Sequence, residues 1–233
     1  MNPILRTQAL TAFYGDAQAL FGIDFELFVG ELVAIIGANG AGKSTFLKCL
    51  TGLIKVPSEA IHWKGQPIGG WPTGEIVRSG LCMVPEGRRL FPSLTVEENL
   101  MMGSNAHRSG PWNLSRIYKL FPILKEKRLL PGTSLSGGQQ QMVAIGRALM
   151  SNPEVLLCDE LSLGLAPIVI KEIYSAMPEI TSEGMTVVIV EQDVAMSKLV
   201  SNRLYCFQEG VVSLHGESQS LTNQEISQAY FGV

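Results

Sequence analysis

The chain has 233 residues, of which 46% are hydrophobic and 17% are charged, and its formal net charge is −3. This composition fits a globular protein with a buried core, arranged as one large domain or two small ones, and excludes a disordered chain. Because nucleic-acid-binding proteins usually carry a basic face, the negative charge argues against a nucleic-acid partner.

The apolar segments and the cysteines point to a cytoplasmic protein. The longest apolar runs, LVAIIGA and MTVVIV, are far shorter than the roughly 20 residues that cross a bilayer. The N-terminal segment MNPILRTQAL has no apolar stretch after a basic start, so we expect no signal peptide. The cysteines lack the spacing of metal ligands or disulfides, which predicts reduced thiols in the core. They are Cys49, Cys82, Cys158 and Cys206.

The first predicted elements are two strands separated by a turn at Gly30. In the first strand, apolar residues from Ile23 to Leu27 alternate with acidic ones, so we expect one face of this strand to be exposed to solvent. The second, Leu32–Ile36, is apolar throughout, as a buried parallel strand is. Three later runs have the same character: Leu81–Val84, Val155–Cys158 and Thr186–Val190.

Helical signals lie between these strands. Thr95 with Glu98, and Ser136 with Gln139, form capping boxes, and the second opens a helix expected to run to about Met150. Residues 168–177 and 192–200 are further helix candidates, and residues 203–216 are typical of a hairpin that turns at Glu209 and Gly210. Alternating strands and helices predict an α/β fold with a parallel sheet. We interpret residues 1–86 and 151–233 as the core, with a helical subdomain of about 87–150 inserted.

The segment GANGAGKST fits the phosphate-binding pattern G-x-x-x-x-G-K-[ST] between a buried strand and a helix. In such a P-loop the glycines let backbone N–H groups point at phosphate oxygens, the lysine reaches the β- and γ-phosphates, and the serine hydroxyl binds Mg²⁺. The alternative is a glycine-rich turn with an exposed lysine. The predicted nucleotide-binding residues here are Gly37, Ala38, Asn39, Gly40, Ala41, Gly42, Lys43, Ser44 and Thr45.

Two acids follow the buried run EVLLC. Asp159, at the strand end, is placed to bind Mg²⁺, and Glu160 is placed to orient or deprotonate the attacking water. A solvated acidic loop is the alternative. Gly37, Glu86 and Gln192 also follow predicted strands closely. Because ligands bind beyond the carboxyl ends of parallel strands, we expect all these groups around one nucleotide.

A second phosphate-binding signature lies at LSGGQQQ, where Ser136, Gly137, Gly138 and Gln139 begin a helix. The alternative is a capped core helix, because Met142, Ile145 and Leu149 repeat at helical spacing. Both interpretations can hold, since the body of the helix can pack while its first turn binds. One P-loop already encloses the phosphates of its nucleotide, so we expect this second signature to serve a nucleotide held by another subunit.

The combination of a P-loop, LSGGQ and an acidic strand end resembles the ATP-binding-cassette (ABC) ATPases over essentially the whole chain. The segments VPEGRRLFPSLTVEENL, QQMVAIGRALM, SLGLAP and VEQD are similar to the ATPase subunits of bacterial branched-chain amino-acid importers. The resemblance implies a P-loop NTPase core with an N-terminal antiparallel β element and an inserted helical subdomain. It also implies ATP and Mg²⁺ as cofactors, and two subunits, identical or not, that sandwich two ATP molecules head to tail.

The same resemblance implies partners and residue roles. The subunit would lie on the cytoplasmic face of the membrane under a permease, which receives solute from an extracytoplasmic binding protein. Tyr14 would stack on adenine, Glu86 would sense Mg²⁺ and permease, and Gln192 would be the switch after the last core strand. The wider superfamily usually has Gln and His at the last two positions, and the subgroup usually has Pro where this chain has Leu161. Because tyrosine is common in strands, Tyr14 taken alone would more often be a core or rim residue, but its place before the strand pair of the P-loop favours stacking.

The predicted function is therefore ATP hydrolysis that drives import of branched-chain or other hydrophobic amino acids. The loop GRRLFPSL, with Leu90 and Phe91, is either a plain loop or a patch that contacts the permease. A nucleotide-gated clamp or scaffold with weak hydrolysis is the alternative function, because glutamine at position 192 cannot carry a proton as histidine can. A small-molecule P-loop kinase would have no use for LSGGQ.

Overall fold

The computed structural model of the protein describes residues 2–182 and 184–231. Within these residues the strands are β1 (Leu5–Tyr14), β2 (Ala17–Leu27), β3 (Leu32–Ile36), β4 (Ile61–Trp63), β5 (Gln66–Pro67), β6 (Leu81–Val84), β7 (Val155–Asp159), β8 (Thr186–Glu191), β9 (Arg203–Gln208) and β10 (Val211–Glu217). The α-helices are α1 (Lys43–Leu50), α2 (Thr73–Ser79), α3 (Val96–Met101), α4 (Leu114–Leu120), α5 (Pro122–Glu126), α6 (Gly137–Leu149), α7 (Pro167–Ser175), α8 (Met177–Ser182), α9 (Val194–Val200) and α10 (Asn223–Phe231).

The central sheet has the strand order β10-β9-β3-β8-β7-β6. Its strands are parallel except β10, which pairs antiparallel with β9 through the predicted hairpin. Every residue of β3, β7 and β8 is buried, because other elements cover both faces of the sheet. The predicted α/β fold with a parallel sheet is thereby confirmed.

The N-terminal strands form a separate antiparallel sheet in the order β2-β1-β4-β5. Although β2 and β3 are consecutive in the sequence, they belong to different sheets, and the chain turns between them at Gly30 with φ of 80°. Ile23, Phe25 and Leu27 are buried, as their alternation predicted. The two sheets are joined by a hydrogen bond from the Phe21 N–H to the Gly210 carbonyl (2.9 Å).

The hydrophobic core lies on the two faces of the central sheet. Along β3, Leu32 and Ala34 pack into the cluster that also contains α3 and α6 residues, whereas Val33 and Ile35 pack into the cluster beneath the N-terminal sheet. Between residues 87 and 150 the chain forms helices and turns with one isolated bridge. The division into a core and an inserted helical subdomain stays a prediction.

Several boundaries differ from the sequence prediction. The helix predicted over 192–200 begins at Val194, because the Asp193 carboxylate caps it by accepting from the Met196 N–H (2.9 Å). Gln192 is therefore a loop residue. The segment 168–177 ends its first helix at Ser175 and starts a second at Met177. The four cysteines are free and buried, as predicted.

No helix within the described part of the chain is long and apolar enough to cross a membrane.

Candidate active site

The P-loop connects β3 to α1 at the carboxyl edge of the central sheet. A Cβ at Gly37 would lie 2.3 Å from the Phe207 carbonyl oxygen, and a Cβ at Gly42 would lie 2.7 Å from a Leu20 methyl carbon. Gly42 also has φ of 99°, which side-chain-bearing residues rarely adopt. These two glycines allow the tight curl of the loop, which directs the start of α1 toward a ligand.

The Lys43 side chain is folded into this loop. It is 4% exposed, and its ammonium donates to the carbonyls of Gly37 (2.7 Å) and Ala38 (3.0 Å). Burial lowers the pKa of Lys43, although Glu160, whose carboxylate lies 3.9 Å from the ammonium, favours the charged form. A buried cation held by neutral carbonyls is well placed to exchange them for phosphate oxygens.

Asp159 ends β7 directly beside the P-loop. The Ser44 hydroxyl donates to its carboxylate (3.0 Å), so two of the three residues predicted at the Mg²⁺ site, Ser44 and Asp159, lie in contact. Burial raises the pKa of Asp159 to about 6, and the neighbouring charges of Glu160 and Glu86 add to the rise despite the Ser44 hydrogen bond. A buried carboxylate in this state favours a nearby cation.

Ser44 and Asp159 could supply only part of the coordination shell of Mg²⁺. Among the described residues no group of three or more histidines, cysteines or acids could hold a metal ion by itself. Mg²⁺ in nucleotide sites is commonly bound by one or two protein oxygens, with phosphates and water completing its shell. The pair of Ser44 and Asp159 matches that pattern.

Glu160 and Gln192 complete the far side of the site. The Gln192 amide donates to the Glu160 carboxylate (3.1 Å). A cavity of about 330 Å³ lies between these two residues and the P-loop, and its other walls include Glu86 and Leu163. Of the predicted strand-end groups, Glu86, Glu160 and Gln192 therefore line one cavity with the P-loop, and Asp159 contacts the wall of this cavity through its hydrogen bond with Ser44.

Tyr14, at the end of β1, stands at the edge of the P-loop. Its ring is about half exposed, and its hydroxyl lies 3.3 Å from the Thr45 hydroxyl. This contact places a half-exposed aromatic ring beside the first turn of α1. Its stacking role stays a prediction.

The LSGGQ residues lie outside the P-loop cavity, whose described walls contain none of them. Ser136 caps α6, because its hydroxyl accepts from the Gln139 N–H (3.4 Å), and the Gln139 side chain accepts from the Ser136 N–H (3.2 Å). A Cβ at Gly138 would lie 2.2 Å from a Val169 methyl carbon, so only glycine fits there. The signature is thus a capped and closely packed helix start that lines no part of the P-loop cavity.

Arg147 of α6 fixes the loop that follows Glu86. Arg88 and Arg89 both have left-handed backbones, with φ of 64° and 47°. The Arg147 guanidinium donates to both of their carbonyls (3.1 and 2.8 Å) and lies 5.5 Å from the centre of the half-exposed Phe91 ring. The helix that begins with LSGGQ is therefore tied directly to the Glu86 loop.

The sequence prediction missed Glu191, the buried residue before Gln192. Its carboxylate accepts hydrogen bonds from Ser162 and Tyr174. Its position in VEQD gave no hint of burial, because an acid at the end of a strand normally faces water. The one available signal was the continuous apolar run before it, which marks a strand buried on both faces.

Comparison with known proteins agrees with this geometry. The family model described as ABC transporter matches residues 20–162, which contain the P-loop, LSGGQ and both acids after β7. The chain belongs to the ABC transporter family. The resemblance inferred from the motifs is thereby confirmed.

Individual relatives of this ABC transporter chain match it over nearly their full length. BraG of Pseudomonas aeruginosa, a high-affinity branched-chain amino acid transport ATP-binding protein, is 42% identical over 232 residues, covering 98% of this chain and 100% of BraG. ArtM of Bacillus subtilis, an arginine transport ATP-binding protein, is 36% identical and covers 90% and 89%. MJ1267, a solved ATP-binding cassette of an ABC transporter, has a TM-score of 0.84 at 27% identity and covers 100% of both chains.

Proposed function

We propose that this chain is the ATP-binding and ATP-hydrolysing subunit that drives import of branched-chain, or other hydrophobic, amino acids through a membrane permease. The observation that carries the proposal is the 42% identity to BraG, which spans 98% of this chain and all of BraG. The cavity between the P-loop, Glu160 and Gln192 supports it, because it brings together the groups that ATP hydrolysis needs.

The residues in and beside this cavity have the following proposed roles. The P-loop N–H groups and Lys43 bind the phosphates, and Tyr14 holds the adenine. Ser44 and Asp159 hold Mg²⁺, aided by Glu86, and the ion when bound neutralises charge on the phosphates. Glu160 orients and deprotonates the attacking water, while Gln192 keeps the Glu160 carboxylate in place through their hydrogen bond.

The LSGGQ start of α6 completes the site of a second ATPase subunit. It begins a 13-residue helix, so unpaired N–H groups at its first turn favour an anion. Because it lines no part of its own chain's P-loop cavity, the phosphate that it binds belongs to the facing subunit. Two chains, identical or not, would therefore close over two ATP molecules.

The permease would contact the groove beside Glu86. This groove has a volume of about 410 Å³, and its walls include Leu53, Val77, Met83 and Arg89. The groove also contains charged side chains, among them Glu86 and Arg89, and this mixture of apolar and charged groups suits a helix presented by a membrane partner. The subunit would then lie peripherally on the cytoplasmic face of the membrane, and a solute-binding protein would deliver the amino acid from the other side.

The test is transport by a reconstituted complex. The chain is assembled with its permease and any second ATPase in vesicles, and uptake of labelled leucine is measured with ATP on the cytoplasmic side. We expect uptake in wild type and none with Glu160→Gln, which should still bind ATP and hold the subunits closed. A matched Glu126→Gln variant on exposed α5 should transport normally.

Two outcomes would contradict the proposal. If Glu160→Gln hydrolyses ATP near the wild-type rate, Glu160 is not the base. If ATP closes the subunit pair but the chain neither copurifies with a permease nor supports uptake, it is a nucleotide-gated clamp instead.

A further inference from the structure

Glu191 is a buried carboxylate that holds three donors from two other elements. Its side chain ends β8 and is 1% exposed. One oxygen accepts from the Ser162 backbone N–H (3.1 Å) and the Tyr174 hydroxyl (2.6 Å), and the other accepts from the Ser162 hydroxyl (2.5 Å). Tyr174 belongs to α7, and Ser162 belongs to residues 160–166, which we name the acidic loop.

A carboxylate is a costly choice at this position. Burial raises the pKa of Glu191, even though the hydrogen bonds from Ser162 and Tyr174 favour its charged form. The other five residues of β8, TVVIV, are a buried threonine and buried aliphatic residues. A residue of either kind could end β8 without desolvating a charge. What the carboxylate adds to the fold is a fixed position for Ser162.

Ser162 lies between two residues that line the nucleotide cavity, Glu160 and Leu163. Gln192, the next residue after Glu191, donates to the Glu160 carboxylate (3.1 Å). The last residue of β8, Glu191, and the loop residue that follows it, Gln192, therefore hold the same loop at two points.

We propose that Glu191 is a positioning residue for ATP hydrolysis, which clamps Ser162 so that the acidic loop holds Glu160 toward the attacking water. The inference rests on the proposed ATPase function. Glu191 does not line the cavity and acts only through the loop. Because a displacement of about 1 Å in a catalytic group can cost about 100-fold in rate, a clamp on this short loop has a large effect on turnover.

The test compares donors on the two sides of the same carboxylate. Ser162→Ala removes the hydroxyl on the loop side, and Tyr174→Phe removes the hydroxyl on the helix side. We expect Ser162→Ala to lower kcat about 10- to 100-fold with little change in KM for ATP. Tyr174→Phe should keep kcat near wild type, even if its Tm falls. Ser162→Thr, which retains the hydroxyl, should restore most of kcat.

A second measurement does not depend on turnover. Hydrogen exchange of the nucleotide-free chain should be faster over residues 160–166 in Glu191→Gln and Ser162→Ala than in wild type, and unchanged there in Tyr174→Phe. A glutamine at position 191 keeps the shape of the side chain but offers one acceptor oxygen in place of two, so the chain can fold while the clamp loosens.

The outcomes separate the two proposals. Equal kcat in wild type and Ser162→Ala, or equal losses in Ser162→Ala and Tyr174→Phe, would show that Glu191 only supports the fold. Unchanged exchange over the acidic loop in all variants would also overturn the clamp. If the fully assembled wild type hydrolyses no ATP, the ATPase proposal fails, whereas the exchange measurement still decides whether Glu191 fixes the loop.

Discussion

If LSGGQ serves the nucleotide of a facing subunit, two inactive variants of this chain should restore each other when mixed. Lys43→Ala removes the buried ammonium of the P-loop, and Gly137→Asp places a carboxylate at the start of α6. A Cβ at Gly137 lies 3.1 Å from an Arg88 guanidinium nitrogen, which can move. An acid in the first turn of a helix is also favourable by roughly 0.3–1 kcal/mol. Gly137→Asp should therefore fold and fail only in phosphate binding.

The expected size of the recovery follows from the symmetry of the pair. Each variant alone has a lesion at both sites of its homodimer. A mixed dimer has both lesions at one site and none at the other. Random pairing of equal amounts makes about half of the dimers mixed, so the mixture should recover about one quarter of the wild-type rate if the sites work independently. Steady-state ATPase activity with each variant alone measures the baseline.

A control variant and a refuting outcome belong to this mixing test. Gly137→Asn has nearly the same size without the charge and should lose less activity. Gly138 is unsuitable, because its Cβ would collide with Val169 and disturb the fold. An inactive mixture, at concentrations where wild type turns over, would refute the shared site.

If this chain requires a non-identical ATPase partner, the same lesions decide the question within one chain. In the shared-site arrangement, Lys43→Ala and Gly137→Asp in this chain damage different sites of the heterodimer. Each single variant should then keep up to about half of the activity, and the double variant should have none. If both motifs served one nucleotide, the double variant would be no worse than either single variant.

Two further predictions concern Gln192 and Asp159. Gln192→Ala should lower the kcat of ATP hydrolysis because Glu160 loses its amide donor, while Gln192→His should keep or raise kcat. An alanine variant with the wild-type kcat would exclude Gln192 from the chemistry. Burial raises the pKa of Asp159 from 3.8 to about 6, so its ionised form destabilises the fold by roughly 3 kcal/mol at pH 8. Without nucleotide and Mg²⁺, Asp159→Asn should therefore raise Tm by several degrees at pH 8. The gain should shrink toward pH 4, and a gain independent of pH would contradict this account.

The sequence was most informative where a motif and a strand coincide. The P-loop, Asp159 and Glu160 could be placed because each follows a run of apolar residues, and parallel strands bring their carboxyl ends to one edge. The helix that begins at Ser136 was predictable because its capping box is local chemistry. These signals need only neighbouring residues, so a single sequence carries them.

What the sequence could not reveal depends on contacts between distant residues. Arg147 holds the carbonyls of Arg88 and Arg89 from 59 and 58 positions away, and no local pattern encodes that distance. The helix start at Val194 was misplaced because the prediction began the helix at Gln192 and overlooked Asp193 as its cap. Glu191 was missed for a related reason: its donors, Ser162 and Tyr174, precede it by 29 and 17 positions.

The buried charges at the carboxyl edge of the sheet explain why this region serves ligand binding better than stability. Burial disfavours the charged forms of Lys43, Asp159 and Glu191, lowering the pKa of the lysine and raising those of the acids. A protein selected only for stability would place apolar residues there, because breaking or burying charges costs several kcal/mol. Phosphate beside Lys43 and a divalent cation beside Asp159 would offset two of these costs. Ligand binding should therefore stabilise the P-loop and the end of β7 together. Because the acidic loop follows β7 directly, occupancy of the cavity is then coupled to the position of this loop.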